Sequence, residues 1–205
     1  MKKKIAILGS TGSIGKNLFE IIKKEKKKYE ILLLSSNTNY KLLLKQANLL
    51  NVKNLILTDK KKFNFLIKKK KNKKINIYNS FDDFNKIFKK KKVDYTMSAI
   101  SGLSGLKPTI DIIKYSKNIA IANKEAIICA WNLISKELKK RKTNFIPVDS
   151  EHFSIWYATK EFKNIERVII TASGGPFKNL SLSKFKSINV SQALKHPNWK
   201  MGKKI

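Results

Sequence analysis

The sequence predicts an α/β fold with a doubly wound parallel sheet. First, short apolar runs alternate with amphipathic segments over most of the chain, the arrangement that places helices on both faces of a parallel sheet. Second, the stretch GSTGSIG at residues 9–15 follows the apolar run 5–8 and precedes a helical pattern at 16–22. A strand, a glycine-rich turn and a helix in this order are typical of the first unit of a Rossmann-like fold.

Each element of this fold is predicted from its pattern of apolar residues. In a sheet built from such units, ligands bind at the carboxyl ends of the strands. Strands are expected near 4–9, 30–35, 53–57, 93–98, 118–122 and 144–148, with a weaker one at 75–78. Amphipathic helices are expected near 14–27, 39–50, 80–90, 104–116 and 124–141, and an exposed helix or loop at 60–74.

The regular alternation ends near residue 148, where we predict a domain boundary. Residues 1–148 form the predicted Rossmann-like domain, and residues 149–205 are expected to begin a second, catalytic α/β domain. A strand is expected at 166–171 in that second segment. The segment is short for an independent core, so the second domain is expected to be incomplete.

The composition is strongly basic, but the distribution of charge argues against a specific nucleic-acid partner. The 205-residue chain has a formal net charge of +31, and of its 45 basic residues only Arg141 and Arg167 are arginine. Arginine is the residue best suited to bidentate contacts with phosphate and guanine. The lysines are dispersed in runs without interleaved aromatic residues. We therefore expect no specific nucleic-acid function.

The sequence also indicates a cytoplasmic protein with no membrane partner. Met1-Lys2-Lys3-Lys4 runs directly into the first apolar stretch without the h-region of a secretory signal. No apolar run reaches membrane-spanning length. The single cysteine, Cys129, cannot form a disulfide within the chain and is expected to be buried in an apolar helix.

The glycine-rich stretch 9–15 is interpreted as a phosphate-binding turn. Its spacing, G-x-x-G-x-x-G, is a relative of the G-x-G-x-x-G fingerprint. Glycines allow a pyrophosphate to approach the main chain, and the N–H groups that open the next helix face the anion. The alternative is a tight turn that needs small residues only for packing.

The end of the second predicted strand favours NADP over NAD. NAD-binding folds usually carry an Asp or Glu at this place, which binds the ribose 2′-hydroxyl. This chain instead has Ser35-Ser36-Asn37-Thr38, followed closely by Lys41. No carboxylate is present there to repel a 2′-phosphate, although the arginine that often binds this group is also missing.

Two carboxylates follow the last predicted strand of the first domain. If the backbone is still extended there, Asp149 and Glu151 point to the same side and could bind one hard cation such as Mg²⁺ or Mn²⁺. Alternatively, Asp149 or Ser150 caps a helix near 152–160, and Glu151 interacts favourably with its N-terminal dipole.

Three further residues are candidates for substrate contacts. Lys124 follows a predicted strand and could fix an anionic or hydroxylated substrate, or be an exposed helix lysine. Ser173 and the two glycines after it could cradle a phosphate or form a plain turn. His196 lies in a stretch with Pro, Asn, Trp and Gly that suits a mobile lid.

Five short sequence motifs follow one another along the chain. They are GSTGSIG at 9–15, NKE at 123–125, VDSEH at 148–152, ASGGPF at 172–177 and HPNWKMG at 196–202. Together they closely resemble the 1-deoxy-D-xylulose 5-phosphate reductoisomerase family. The resemblance implies an enzyme, dependent on NADPH and on Mg²⁺, Mn²⁺ or Co²⁺, that isomerises and reduces 1-deoxy-D-xylulose 5-phosphate to 2-C-methyl-D-erythritol 4-phosphate for isoprenoid synthesis. It also implies a homodimer.

The same resemblance implies a role for each matching residue. Contacts with NADPH are expected from Thr11, Gly12, Ser13 and Ile14 at the pyrophosphate, from Ser36, Asn37 and Thr38 at the 2′-phosphate end, and from Asn123, Glu125 and Gly202 elsewhere. Metal ligands are expected at Asp149 and Glu151, and substrate contacts at Lys124, Ser150, Glu151, Ser173 and His196. The catalytic residues implied are Lys124, Asp149, Glu151 and His196, with Trp199 in a lid.

Three alternatives stand beside this interpretation. The family's pattern continues beyond residue 205 with further phosphate and metal ligands and a helical domain, so the chain could be an inactive remnant that at most binds NADPH. A basic polyanion-binding protein is the second alternative. A nucleotide-sugar epimerase-like dehydrogenase, the third, would need a Tyr-x-x-x-Lys pair, and no tyrosine in the sequence is followed four residues later by lysine.

Overall fold

A parallel sheet of seven strands forms the centre of the protein. The computed structural model describes residues 1–69, 74–89, 91–162, 164–171 and 174–195. The strands are β1 (Lys3–Leu8), β2 (Tyr29–Ser36), β3 (Asn54–Leu57), β4 (Asn76–Tyr78), β5 (Val93–Ser98), β6 (Ser116–Ile121) and β7 (Asn144–Pro147). Their order across the sheet is β4-β3-β2-β1-β5-β6-β7, and all neighbours are parallel.

Helices connect the strands, and the described residues contain eight of them. They are α1 (Ser13–Lys24), α2 (Tyr40–Leu50), α3 (Lys60–Lys69), α4 (Phe84–Phe88), α5 (Leu106–Ile113), α6 (Lys124–Arg141), α7 (Ser150–Thr159) and α8 (Val190–Ala193). Short 3₁₀ turns occupy Phe81–Asp83, Leu103–Gly105 and Leu182–Ser187. The strands and helices predicted between residues 4 and 148 are confirmed, with ends that differ by a few residues.

Both faces of the sheet are buried, because alternate residues of a strand point to opposite sides. Ile5 and Ile7 of β1 belong to one core, which includes residues of α1, α2 and α3. Ala6 and Leu8 belong to the second core, which includes residues of α4, α5 and α6. The predicted doubly wound α/β fold is confirmed.

The strand order reverses next to β1. From β1 the chain continues through β2 and β3 to β4 at one edge, and then returns to β5 on the other side of β1. Ligands of doubly wound sheets bind in the crevice at the carboxyl ends of the strands, at such a reversal. The turns after β1, β2 and β5 border this crevice.

The chain divides into two compact units, Met1–Lys160 and Glu161–Ile205. The first unit contains the whole sheet and the helices α1 to α7. In the second unit, none of the residues that the structure describes is buried, and α8 begins with a capping box formed by Asn189 and Gln192. The boundary predicted at residue 148 lies earlier, just before α7.

Two expectations from the sequence are wrong. Residues 166–171 form no strand, because a strand needs a neighbour for its N–H and C=O groups and no other described segment pairs with them. Cys129 is exposed, since the buried residues of α6 follow a stripe with a spacing of four, Ala126, Ala130, Ile134 and Leu138. Within the described residues, no helix has the length and apolar character to cross a membrane.

Candidate functional site

The glycine-rich turn after β1 lies against the turn after β5. Gly9 has a φ of +80°, and a Cβ there would lie 2.6 Å from the carbonyl oxygen of Ala99. A Cβ at Gly15 would overlap the main chain of Gly9. Position 9 therefore requires glycine for its conformation and its packing, whereas position 15 requires it because α1 approaches the turn so closely.

Helix α1 begins at this turn without a side-chain cap. Its N-cap residue is Gly12, which makes no side-chain hydrogen bond to the first turn. The N–H groups that open a helix have no partner within it, and together with the helix dipole they favour an anion. Three residues predicted to bind the cofactor pyrophosphate, Gly12, Ser13 and Ile14, lie here and are exposed.

A buried polar network anchors the turn. The Ser10 hydroxyl donates to Oε1 of Gln46 at 2.8 Å, and Nε2 of Gln46 donates to the Ser10 carbonyl oxygen at 2.9 Å. The main-chain N–H of Gly9 donates to the Ser35 hydroxyl at 2.9 Å. Ser10, Ser35 and Gln46 are all buried. The turn is thereby fixed to both β2 and α2.

The end of β2 also contacts the turn through a pair of hydroxyl groups. Oγ1 of Thr11 and Oγ of Ser36 lie 2.8 Å apart. Thr11 is predicted to lie at the pyrophosphate and Ser36 at the 2′-phosphate end. Asn37 and Thr38, predicted with Ser36, follow it and are exposed. The structure therefore places the predicted residues of the two phosphate sites in direct contact.

A cavity of about 380 Å³ opens between these turns. None of the described residues that line it has a charged side chain, and Lys41, which the sequence placed nearby, is exposed on α2 and does not line it. Phosphate groups in this cavity would therefore be bound by neutral donors and main-chain N–H groups. The lining residues are Gly9, Thr11, Gly12, Ser35, Ser36, Asn37, Thr58, Phe81, Ala99, Ile100, Ser101 and Ser104.

Sequence reasoning missed half of this lining. Thr58 follows β3, Phe81 opens a 3₁₀ turn, and the group 99–101 with Ser104 follows β5. The sequence could have indicated residues 99–101, because residues just after a strand beside the reversal lie at the ligand-binding edge of the sheet. Thr58 and Phe81 come close only through the packing of distant segments.

Asn123 links the cavity wall to α6. As the N-cap residue it accepts a hydrogen bond from the N–H of Ala126 at 3.0 Å. Its Nδ2 donates to the carbonyl oxygens of Ile100 and Gly102 at 2.8 and 2.7 Å. Asn123 is buried, and both its amide hydrogens are used within the protein. Its side chain thus holds the 100–102 turn.

The first turn of α6 carries two other predicted residues. Lys124 is exposed and Glu125 is half-buried. Ala130, one and a half turns further on, has non-helical angles of φ −143° and ψ 30°. The segment that bears Lys124 and Glu125 is therefore separated by a kink from the rest of α6.

Asp149, a predicted metal ligand, caps α7. Its Oδ1 accepts from the main-chain N–H of His152 at 3.0 Å and lies 2.6 Å from Nδ1 of the His152 ring. Burial raises the pKa of the Asp149 carboxyl, but the hydrogen bonds from His152 outweigh it, so this pKa lies below its ordinary value. The cap that the sequence analysis gave as an alternative is present.

The second oxygen of Asp149 is left for another ligand. Oδ2 is buried, and it has no hydrogen-bond partner among the described residues. A buried carboxylate oxygen without a partner is costly, and a hard cation is a natural partner for it. Capping and metal binding therefore use different oxygens of the same side chain, and the residue fits both.

Glu151 does not stand where the extended-backbone argument placed it. Asp149 is extended, with φ −64° and ψ 153°, but Ser150 and Glu151 already belong to α7. The two carboxylates therefore do not share a face through strand geometry. Glu151 is exposed and accepts from the Ser150 hydroxyl at 3.0 Å. Among the described residues, no group of three His, Cys, Asp or Glu side chains could hold a metal.

Three predicted site residues lie outside the described residues. They are Ser173, His196 and Gly202, together with Trp199 of the expected lid.

Comparison with family models decides the family. A model of 1-deoxy-D-xylulose 5-phosphate reductoisomerase matches residues 5–131, and a model of the C-terminal domain of the same enzyme matches residues 145–205. The chain belongs to the 1-deoxy-D-xylulose 5-phosphate reductoisomerase family. The first match contains the glycine-rich turn and the NKE motif, and the second begins at β7 and contains the carboxylates.

Curated reductoisomerases support this assignment over the whole chain. The enzyme of Pelagibacter ubique is 62% identical over 99% of this chain, which covers 53% of that protein. The enzyme of Wolbachia pipientis from Culex pipiens is 42% identical over 99% of this chain, with 52% of that protein covered. The chain therefore spans about half the length of the curated reductoisomerases it matches.

Solved reductoisomerase structures have the same fold. The enzyme from Zymomonas mobilis in complex with NADPH superposes with a TM-score of 0.85 at 31% identity, over 96% of this chain and 52% of that one. A structure described as DOX-P reductoisomerase with NADPH, fosmidomycin and magnesium superposes with a TM-score of 0.80 at 29% identity, over 98% of this chain and 52% of that one.

Proposed function

We propose that this chain is the cofactor-binding and metal-binding part of a 1-deoxy-D-xylulose 5-phosphate reductoisomerase. The reaction is the NADPH-dependent isomerisation and reduction of 1-deoxy-D-xylulose 5-phosphate to 2-C-methyl-D-erythritol 4-phosphate, a step in isoprenoid precursor synthesis. The observation that carries the proposal is the cavity, lined by uncharged residues, at the strand reversal. The cavity lies between the start of α1, which has no side-chain cap, and the end of β2, which has no carboxylate.

NADPH binding would use this chain's residues in two groups. The N–H groups at Gly12, Ser13 and Ile14 would neutralise the pyrophosphate. Ser36, Asn37 and Thr38 would surround the ribose 2′-phosphate, where an acidic residue would repel it. The complex of a related enzyme with NADPH supports this assignment. Asn123 would keep the 100–102 turn at the cavity wall, and Glu125 and Gly202 would contact other parts of the cofactor.

A divalent metal would be held by Asp149 and Glu151. The unpartnered Oδ2 of Asp149 supports this ligand, and a related enzyme that binds magnesium supports the choice of a hard cation such as Mg²⁺, with Mn²⁺ and Co²⁺ as alternatives. When bound, such a metal supplies Lewis acidity that polarises oxygen atoms of the substrate. His152 would hold Oδ1 of Asp149 and so fix the direction of Oδ2.

The sugar phosphate would lie beside these groups. Lys124 would contact it from the start of α6, and Ser150 from the start of α7. Ser173 and His196, named by the family resemblance, would contribute from the segment after residue 171. The family resemblance assigns Trp199, in the stretch that contains His196, to a lid, and exclusion of water from the bound substrate is the role we propose for that lid.

We also propose that the protein forms a homodimer in the cytoplasm and has no specific nucleic-acid ligand. The dispersed lysines, with only Arg141 and Arg167 as arginines, support the last point.

Two measurements test the proposed function. In the first, the 205-residue chain is titrated with NADPH and with NADH by calorimetry, and tighter binding of NADPH is expected. In the second, the protein purified from its source cells is mixed with 1-deoxy-D-xylulose 5-phosphate, NADPH and Mg²⁺, and metal-dependent loss of NADPH absorbance is expected. A folded chain that binds neither dinucleotide would overturn the proposal. The intact mass of the protein purified from its source cells shows the length of the polypeptide that carries the activity.

A further inference from the structure

Thr58 lies beside Asn37 although the two are far apart in sequence. The main-chain N–H of Thr58 donates to the carbonyl oxygen of Ser36 at 3.1 Å, and that of Asp59 donates to Asn37 at 3.1 Å. These bonds continue the parallel pairing of β2 and β3 past the strand ends. Both Thr58 and Asn37 line the cofactor cavity.

The side chains of the two residues are also hydrogen-bonded. The Thr58 hydroxyl donates to Oδ1 of Asn37 at 3.1 Å. An asparagine amide has one acceptor oxygen and one NH₂ donor, and the orientation of the amide decides which of them a ligand meets. In the arrangement that the structure shows, the oxygen of the Asn37 amide is held by Thr58 and the NH₂ group remains for a ligand. A hydroxyl that donates to this oxygen stabilises the amide orientation that can donate hydrogen bonds to an anion.

The orientation of this amide matters because no described residue that lines the cavity has a cationic side chain. A neutral site distinguishes a phosphate from a hydroxyl by the number and direction of its donors. A hydrogen bond to a charged group is stronger than one between neutral groups. An amide turned the other way would present an oxygen to the phosphate and repel it.

We propose that Thr58 is a specificity-determining residue that selects NADPH over NADH by orienting the Asn37 amide. The inference rests on the proposed NADPH site and adds a positioning residue to it. Thr58 itself needs no contact with the cofactor, since it acts through Asn37. Its hydroxyl should therefore affect ligands with a 2′-phosphate and leave ligands without one unchanged.

The test compares Thr58→Val with Thr58→Ser in the 205-residue chain. Valine keeps the shape of threonine without the hydroxyl, and serine keeps the hydroxyl, so serine is the matched control. Each variant is titrated with NADPH and NADH, and with 2′,5′-ADP and 5′-AMP, which differ only in the 2′-phosphate. We expect Thr58→Val to weaken NADPH and 2′,5′-ADP about three- to tenfold, from the loss of a single hydrogen bond. Binding of NADH and 5′-AMP should not change, and Thr58→Ser should bind as the unmodified chain does.

Equal weakening of all four ligands, or no weakening, would overturn the proposal while leaving the NADPH site in place. If the unmodified chain binds none of the four, the proposed function itself fails. A circular dichroism spectrum establishes that Thr58→Val is folded. If it is not, Asn37→Asp provides the second test, because a carboxylate offers only acceptors to the ligand. Asn37→Asp should reverse the preference toward NADH, and an unchanged preference would also overturn the proposal.

Discussion

At the scale of single residues, Asp149 uses Oδ1 to cap α7, whereas its buried Oδ2 has no partner among the described residues and is the proposed metal ligand. Asparagine is also a good N-cap residue, so Asp149→Asn should preserve α7 while removing the charge that attracts a cation. We expect this variant to require roughly ten times more Mg²⁺ or more for turnover, with little change in NADPH affinity. Mg²⁺ titrations of the purified enzyme, with Glu151→Gln in parallel, test this. Normal turnover at limiting Mg²⁺ in either variant would show that its carboxylate is not a ligand.

The depressed pKa of Asp149 predicts a dependence of stability on pH. Its folded pKa lies below the ordinary value of 3.8, so ionised Asp149 stabilises the fold at pH values above 3.8. This contribution is lost as the pH falls through the lower folded pKa. Denaturant unfolding of the metal-free chain and of Asp149→Asn should therefore show a stability difference at neutral pH that shrinks at strongly acidic pH. A difference that grows with acidity would contradict the assignment.

Some site residues were predictable from sequence and others were not. The glycines at 9, 12 and 15 and the polar residues 36–38 follow strands directly, so local pattern and strand order place them together. Thr58 is 21 residues from Asn37, and Gln46 is 36 residues from Ser10. Their roles depend on which strands and helices become neighbours in space, which a single sequence does not display.

At the scale of secondary-structure elements, the contact between α1 and its preceding turn predicts intolerance at Gly15. Alanine normally favours a helix over glycine by about 1 kcal/mol. Here its Cβ would overlap the Gly9 main chain, and overpacking of this kind costs about 1 to 3 kcal/mol. Gly15→Ala should therefore lower the free energy of unfolding and weaken NADPH binding. A Cβ at Gly12 would lie 3.4 Å from the Gly9 oxygen, so Gly12→Ala is the milder control in the same unfolding experiment.

The anchoring of the turn by α2 gives a second element-scale prediction. Gln46→Met removes the two buried hydrogen bonds between Gln46 and Ser10 and should lower the free energy of unfolding by about 1 to 3 kcal/mol. Asn48, exposed on the same helix, is the matched position, and Asn48→Met should change stability by less than about 0.5 kcal/mol. Urea unfolding measures both, and equal effects would show that the buried amide is unimportant.

The elements themselves were predictable to different degrees. The five inner strands of the sheet are short apolar runs, as is typical of strands in a parallel sheet that is covered on both faces. Residues 166–171 have a similar apolar composition but form no strand, because composition does not supply the neighbour that a strand needs. The burial of Cys129 was mispredicted for a related reason, since residues 126–131 of α6 are all apolar and only packing selects which of them are buried.

At the scale of the whole molecule, the surface charge and the cofactor cavity have opposite characters. The chain carries a net charge of +31, whereas the residues that line the cavity are uncharged. A strongly positive surface attracts any dinucleotide from a distance, and added salt screens this attraction over about 10 Å at 0.1 M. Short hydrogen bonds inside a cavity are much less sensitive to salt.

A change of ionic strength should therefore affect the association rate of the cofactor much more than its dissociation rate. In stopped-flow binding experiments, association of NADPH should slow steeply as salt is raised, and more than that of the less charged NADH. Dissociation rates should change little, so a preference for NADPH should persist at high salt at the level set by Ser36, Asn37 and Thr38. If the preference for NADPH over NADH vanished at high salt, the surface lysines and not the cavity would discriminate between the two dinucleotides. If the preference persists, changes of ionic strength in a cell would alter how quickly this protein is loaded, but not which dinucleotide it keeps.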